Sequence, residues 1–168
     1  FLIFISSILS ICASFKRFHL SPKSHFLHGV FRPVDTEVDI KIHHNNSLFN
    51  DLDGVFCQIG SNPSHIGTRD AGYHWFDGDG MIHAAFFENN SIYYTNHWIE
   101  TKRRLAEKKW GKKMYLYFGE LHGLHGIMEI IRWMICQYLA LIPGSKGTAN
   151  TAIMEWNQSV FALHEGDM

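Results

Sequence analysis

The 168-residue sequence contains few cysteines and no excess of charge. Cys12, Cys57 and Cys136 are far apart and form no Cys-x-x-Cys pair, so neither a disulfide framework nor a zinc ribbon is indicated. The formal net charge of -1 provides no field that would attract nucleic acid, and the basic runs lack interleaved aromatic residues. We therefore expect no nucleic acid among the partners of this protein.

Several catalytic motifs are also missing from the sequence. It has no Gly-x-Ser-x-Gly elbow, no phosphate-binding glycine-rich loop and no His-Glu-x-x-His helix, so hydrolase, nucleotide-binding and zinc-protease functions have no support. Its twelve histidines include no set at metal-ligand spacing. Isolated histidines of this kind are more often hydrogen-bonded structural residues than ligands.

Hydrophobic residues make up 46% of the chain and aromatic residues 14%, which is typical of a globular protein. Phe1 to Phe15 carries no charge and is too short to span a bilayer, which needs about 20 apolar residues. Residues 1–24 are therefore interpreted as an apolar targeting remnant or a surface helix, followed by a linker. Residues 25–168 are interpreted as part of a single domain.

The strand signals occur in three places. Residues 54–59 predict a short strand that ends in a turn at Gly60 to Pro63. Residues 83–88 and 91–99 predict a hairpin across Asn89-Asn90, and residues 151–156 and 159–165 predict a second hairpin across Asn157-Gln158. Two hairpins supply four antiparallel strands, the size of one propeller blade, although a simple sandwich sheet would explain them equally well.

An apolar helix is predicted between the two hairpins, near residues 124–142, and Pro143-Gly144 would end it. Glu129, Arg132 and Cys136 share one stripe of this helix, and apolar side chains cover most of the remaining surface. A basic run from Lys102 to Lys113 precedes it, so the helix is either a peripheral membrane anchor or a core-facing helix beside a solvated basic strand. The membrane-facing candidates are Ile127, Ile130, Ile131, Met134, Ile135 and Tyr138.

The run Tyr73 to His83 places two Asp-Gly pairs among aromatic residues and histidines. It resembles the start of a calcium loop, but Met81 supplies no ligand oxygen at the fifth position and Ile82 replaces the glycine required at the sixth. We expect instead that the Asp77 and Asp79 side chains accept hydrogen bonds from backbone amides, and that the glycines adopt positive φ in tight turns.

Three motifs together carry a resemblance to a known family. They are Tyr73 to His83, Gly147-Thr148-Ala149-Asn150-Thr151-Ala152 and Ala162-Leu163-His164-Glu165-Gly166-Asp167, supported by the lead-in at residues 26–34. In order and spacing they closely resemble the carotenoid cleavage dioxygenases, which are non-haem iron enzymes. Val30, Arg32, Gln58 and Ser61 depart from the pattern of that family.

The resemblance implies a mainly β fold: a partial seven-bladed β-propeller, consisting of a lead-in and about one blade, with an inserted apolar helix. It also implies that the full-length protein uses Fe(II) and O₂ to cleave a double bond of a carotenoid or apocarotenoid, at a plastid or cytoplasmic membrane surface. Glu165 corresponds to a glutamate that accepts a hydrogen bond from an iron-bound imidazole.

The family places its four histidine ligands in the region that would follow Met168. We therefore expect no catalytic residue and no metal ligand in this chain, no iron bound to it, and no activity from it alone. The alternative is a non-catalytic, membrane-associated binding or scaffold protein derived from the same fold. A third possibility is an unrelated small β protein.

Overall fold

The computed structural model describes residues 27, 29–43, 51–64, 73–88, 91–142, 144 and 147–164. In these ranges the chain is mainly β, with six strands, two α-helices and three short 3-10 turns. All strand pairs are antiparallel. The mainly β class expected from the sequence is confirmed.

The larger sheet has four strands. They are β1 (Val38–His43), β2 (Gly54–Asn62), β3 (Asp79–Glu88) and β4 (Ser91–Trp98). Their order across the sheet is β1-β4-β3-β2, so the β3–β4 hairpin lies in the centre and β1 and β2 form the edges. The predicted hairpin is confirmed, although the Asn89-Asn90 turn lies outside the described residues.

Two strand predictions need correction. β1 was not predicted, although Asp39, Lys41 and His43 alternate with Val38, Ile40 and Ile42 as strand residues do. The turn predicted at Gly60 to Pro63 is also wrong in part, because Gly60, Ser61 and Asn62 remain in β2 opposite Met81, Gly80 and Asp79. Pairing with β3 supplies hydrogen bonds that the local turn preference does not outweigh.

The second predicted hairpin is present as β5 (Ala152–Trp156) and β6 (Ser159–Leu163). Asn157 and Gln158 have φ values of 47° and 61°, as a two-residue hairpin turn requires. However, β5 and β6 form a separate two-stranded sheet. The prediction that the two hairpins make one four-stranded unit is therefore wrong, since β1 and β2 complete the sheet of the first hairpin.

The segment between the two sheets contains both helices. Helix α1 (Lys102–Trp110) begins at Thr101, whose hydroxyl accepts the Arg104 amide at 3.1 Å, and ends at Gly111 with φ 63°. One of the two alternatives left open by the sequence placed the basic run in a solvated strand. It is instead largely helical, and the Arg103 side chain in it is buried.

Helix α2 (Gly123–Tyr138) confirms the predicted apolar helix, which begins one residue and ends four residues earlier than predicted. A small core lies between the two helices and contains Ala106, Met114, Tyr115, Cys136 and Ile142. Among the described helices, none is long and apolar enough to cross a membrane. The segment that contains the two helices has a small core of its own, and many side chains of α2 remain exposed.

Candidate functional site

The aromatic and Asp-Gly motif forms a compact loop that continues into the first residues of β3. The Asp77 carboxylate is the main hydrogen-bond acceptor of this loop. The Asp77 carboxylate accepts the amides of His74 at 3.1 Å, Phe118 at 2.6 Å and Gly119 at 2.9 Å. The predicted bonding of an aspartate to nearby amides is thus confirmed at Asp77. The last two bonds also join the loop to the chain segment between α1 and α2, which the sequence did not indicate.

The glycines of this loop serve a different purpose from the one predicted. Gly78 has φ -71°, and neither Gly78 nor Gly80 adopts positive φ. Both positions are instead too crowded for a side chain. A Cβ on Gly78 would lie 2.8 Å from the Asn62 amide nitrogen, and a Cβ on Gly80 would overlap the Ala149 carbonyl group. Glycine is required here for close approach of backbones rather than for turn geometry.

The crowding at Gly80 marks the contact between two of the sequence motifs. The Gly80 amide donates to the Thr148 carbonyl at 2.6 Å, and the Asn150 side chain donates to the Gly78 carbonyl at 2.7 Å. The Thr148 hydroxyl lies 2.9 Å from Nδ1 of His164 in the third motif. The structure thus brings all three motifs together around residues 148–150.

A buried cluster of charged side chains joins the same loop to α1. Arg103 donates from Nη2 to the Asp77 carbonyl at 2.9 Å, and its Nε lies 3.8 Å from Asp79 and 3.9 Å from Glu107. The guanidinium also stacks on the Tyr117 ring, 4.4 Å from the centroid. Asp79 accepts the Ser64 hydroxyl as well. This cluster fastens α1 to the signature loop, which we define as residues 73–80.

Glu107 anchors the segment that follows α1. Its carboxylate accepts the amides of Met114 at 2.9 Å and Tyr115 at 3.2 Å, together with the Tyr117 hydroxyl at 3.1 Å. Lys113, which the sequence placed in the solvated basic run, is buried beside Glu120 and lies over the Tyr117 ring. The basic run is therefore partly structural.

Burial and neighbouring charges shift the titration of this cluster. Burial by itself lowers the pKa of the Arg103 guanidinium. Tyr117, Asp79 and Glu107 raise this pKa by more, so that it lies above its usual value. Burial raises the pKa of Tyr117 well above its usual value and that of Tyr115 to about 12. Arg103 thus stays charged and both phenols stay neutral at physiological pH.

Helix α2 presents its apolar side to solvent. Cys136 is buried, and Glu129 and Arg132 are mostly covered and form an ion pair at 2.7 Å. The predicted polar stripe is therefore the side that faces the protein. All six membrane-facing candidates are exposed, with exposed fractions from 40% at Ile130 to 90% at Tyr138; they are Ile127, Ile130, Ile131, Met134, Ile135 and Tyr138.

The glutamate predicted to accept a hydrogen bond from an iron-bound imidazole is not among the residues that the structure describes. Glu165 lies outside the described residues, which end at His164. The described ranges contain no group of three or more His, Cys, Asp or Glu side chains that could hold a metal ion. His83 bonds to the Tyr94 hydroxyl at 2.7 Å and burial lowers its pKa, in agreement with a structural role.

Sequence reasoning missed Arg103, Tyr117 and Thr148 as residues that organise the site. One signal was available, since Glu107 is the only acidic residue in the basic run and lies four residues after Arg103. Nothing in the sequence indicated that this pair would be buried against the signature loop. The partner of a buried charge depends on tertiary contacts that sequence spacing does not show.

Comparison with known proteins identifies the relatives of this chain. The family model described as "Retinal pigment epithelial membrane protein" (RPE65) matches residues 31–168. The carotenoid 9,10(9',10')-cleavage dioxygenase 1 of Pisum sativum is 35% identical over 149 residues, and that of Arabidopsis thaliana is 32% identical over 149 residues. Each match covers 85% of this chain and 27% of the relative.

Solved structures give the same result. Cobalt-substituted Synechocystis ACO, an apocarotenoid oxygenase, superposes with a TM-score of 0.61 and 26% identity, over 80% of this chain and 26% of that one. The lignostilbene dioxygenase of Pseudomonas brassicacearum has a TM-score of 0.60 at 20% identity, which shows a shared fold. The chain therefore spans about a quarter of the length of the proteins it matches.

Proposed function

Because this chain belongs to the RPE65 and carotenoid oxygenase family, whose members have a β-propeller fold, we propose that it forms the amino-terminal part of an iron(II)-dependent carotenoid cleavage dioxygenase. Its substrates would be a carotenoid or apocarotenoid and O₂, and its products two carbonyl fragments. The observation that carries this proposal is the junction at residues 148–150. There, the three motifs of the family resemblance meet, and the Thr148 hydroxyl contacts His164 in the third motif.

The described residues do not fit an iron site by themselves, since they supply no set of ligands. We propose that the ligands come from the remainder of a protein of the relatives' length, and that this chain alone neither holds iron nor cleaves substrate. When bound, Fe(II) would supply the reactivity toward dioxygen. Glu165 would accept a hydrogen bond from a ligand imidazole, which fixes the orientation and tautomer of the ring.

The Glu165→Gln variant tests this proposal in a protein of the relatives' full length that carries this segment. We expect iron retention or activity to fall about 10- to 100-fold, because an amide fills the same space but offers no negative acceptor. Iron content after gel filtration and chromatography of the aldehyde products measure both effects. A parent protein that contains no iron and releases no aldehyde would contradict the dioxygenase assignment. Unchanged values in the variant would contradict the role of Glu165.

We further propose that α2 docks on a membrane surface, from which lipophilic substrate is collected. Its exposed face is apolar, and Lys102, Lys108 and Lys109 on α1 are exposed as well. Arg103 and Lys113 are buried and are excluded from this cationic surface. Two relatives from Arabidopsis thaliana are named chloroplastic, which supports a plastid membrane as the location.

The double variant Ile131→Ser with Ile135→Ser should release the chain from vesicles. Burial of one isoleucine contributes about 1.5 kcal/mol or more, so we expect the pair to lower vesicle partitioning about 100-fold. Flotation with phosphatidylcholine vesicles, with and without phosphatidylserine, measures this. The matched control is Ile40→Ser with Ile42→Ser, which removes two exposed isoleucines from β1. A parent that does not float, or equal losses in both variants, would contradict the assignment of α2.

The exposed α2 face also favours a second candidate function, a non-catalytic protein that binds membranes through the same fold. Such a protein would float with vesicles and lose flotation in the α2 variant. A protein of full length would then contain no iron and release no aldehyde. The two measurements together therefore separate the enzyme from the binding protein.

A further inference from the structure

Strand β1 lies at an edge of the four-stranded sheet and buries little of its surface. It pairs with β4 from Val38 to His43. Ile40 and Ile42 are 50% and 43% exposed, so the burial of apolar surface contributes little to its attachment. The polar contacts at the amino-terminal end of β1 therefore help to decide how firmly this strand is held.

One imidazole lies at the centre of these contacts. Nε2 of His97 on β4 lies 3.1 Å from Oδ1 of Asp39 on β1, and its Nδ1 lies 3.5 Å from Oε2 of Glu37, just before β1. Both ring nitrogens thus face a carboxylate oxygen. A neutral imidazole has one N–H group and can donate to one acceptor, whereas the imidazolium ion can donate to both. The geometry therefore suits the protonated ring.

The two carboxylates are themselves bonded to β4. Asp39 accepts the Thr95 hydroxyl, and Glu37 accepts the Trp98 amide at 2.9 Å. These bonds do not depend on the charge of the ring, so both carboxylates stay beside His97 when it is neutral. One of them then faces a nitrogen lone pair, and no cation lies between the two negative charges.

Other charged groups surround this cluster without replacing the imidazole. Within the described ranges, the ion pairs of His97 are those with Glu37 and Asp39. On β3, the residue opposite His97 is Ile82, which carries no charge. The remaining charged side chains nearby are Arg104 on α1, which also lowers the pKa of Glu37, its partner Glu100, and Lys41, which lies over the Tyr93 ring.

The titration of these groups places the change near neutral pH. The hydrogen bond to Asp39 is the main reason that the pKa of His97 lies above its ordinary value of about 6.5. The Trp98 amide lowers the pKa of Glu37, and the Thr95 hydroxyl lowers that of Asp39, so both carboxylates are charged where His97 titrates. The contribution of the charged ring is complete below about pH 6.5 and is lost as the pH rises through the raised pKa.

We propose that His97 is a pH-sensitive link, which as an imidazolium ion holds the edge strand β1 to β4 through Glu37 and Asp39 and loosens it on losing its proton. β1 opens more readily at alkaline than at mildly acidic pH, and its opening exposes the backbone groups of β4. Residues 37–39 lie outside the three motifs that meet at residues 148–150, so this device does not depend on the proposed function.

Hydrogen exchange of the 168-residue chain tests this proposal. Protection of the β1 amides, corrected for the intrinsic exchange rate, is measured by mass spectrometry at about pH 6 and about pH 8.5. Exposed ion pairs contribute weakly, so we expect this protection to fall about 3-fold between the two conditions. Protection of β2, at the opposite edge of the same sheet, should stay constant. Equal protection of β1 at both pH values, or an equal fall in β2, would overturn the proposal.

Two variants show whether His97 is the group that titrates. His97→Gln keeps a polar side chain that has no charge at either pH, so protection of β1 should no longer depend on pH. His43→Gln is the matched control, since it removes an exposed histidine from β1 itself and should preserve the change. A pH dependence that persists in His97→Gln, or that vanishes in His43→Gln, would contradict the assignment.

Titration of the His97 ring by NMR gives an independent measurement. Asp39→Asn keeps the size of the side chain but removes its negative charge, so the pKa of His97 should fall relative to the parent. Asp53→Asn, which removes an exposed aspartate just before β2, should leave that pKa unchanged. The same His97 pKa in the parent and in Asp39→Asn would refute the link between this ring and β1.

Discussion

Replacing Gly80 by alanine should strongly destabilise the 168-residue chain. The added Cβ would lie 2.6 Å from the Ala149 carbonyl carbon. The Ala149 carbonyl is a backbone group, so no side-chain rotation can relieve this contact. Overpacking costs up to about 3 kcal/mol where side chains can adjust, and we expect at least that value here. Urea unfolding followed by circular dichroism, together with pulse proteolysis, measures the loss.

The control for this experiment is Gly60→Ala in β2. A Cβ on Gly60 would have no heavy atom within 4 Å, and β2 belongs to the same sheet as Gly80. Alanine should therefore be neutral or slightly stabilising at this position. If Gly80→Ala unfolded at the same urea concentration as Gly60→Ala, the close contact between the signature loop and residues 148–150 would be refuted.

Replacing Arg103 by methionine should destabilise the chain by about 3–5 kcal/mol. Arg103 is 4% exposed, and its guanidinium lies beside the buried carboxylates of Asp79 and Glu107. Its loss would leave these charges buried without a counter-ion and would remove the donor to the Asp77 carbonyl. The free energy of unfolding, determined in urea at neutral pH, gives the magnitude.

Two further variants identify the cause of the loss. Lys108→Met removes an exposed cation from the same helix and should change stability by about 0.5 kcal/mol or less. Arg103→Lys keeps the charge but loses the planar group that stacks on Tyr117 and reaches Asp77, so we expect an intermediate loss. Equal stability of Arg103→Met and Lys108→Met would show that the buried cluster does not support the fold.

The sequence predicted local structure where a short-range rule decides it. Asn157 and Gln158 adopt positive φ as their turn requires, and the polar stripe of α2 was identified from helical spacing. The pairing of strands was not predictable in the same way. β1 has an alternating pattern typical of a strand, but its partner β4 lies far away in the sequence, as in the pair Val38 and Asn96, which are 58 residues apart.

In the candidate site as well, the features that depend on local sequence were predictable and those that depend on distant contacts were not. The three motifs were recognised by residue type and order, but the reason for glycine at position 80 is visible only when Ala149 lies against it. The roles of Arg103 and Thr148 likewise depend on contacts over 26 and 16 positions of sequence. Local spacing contains no information on such contacts, so these residues could be assigned only from the structure.

The orientation of α2 determines which positions of this helix can vary among sequences of the family. Its protein-facing side contains Gly126, the Glu129–Arg132 pair, Trp133 and Cys136, so the fold constrains a minority of the positions on this helix. The outward side chains, such as Ile131 and Met134, pack against no core and can exchange at little cost to stability. Under the proposed membrane role, this tolerance would let α2 adapt to bilayers of different lipid composition without a change in the packing of its protein-facing side.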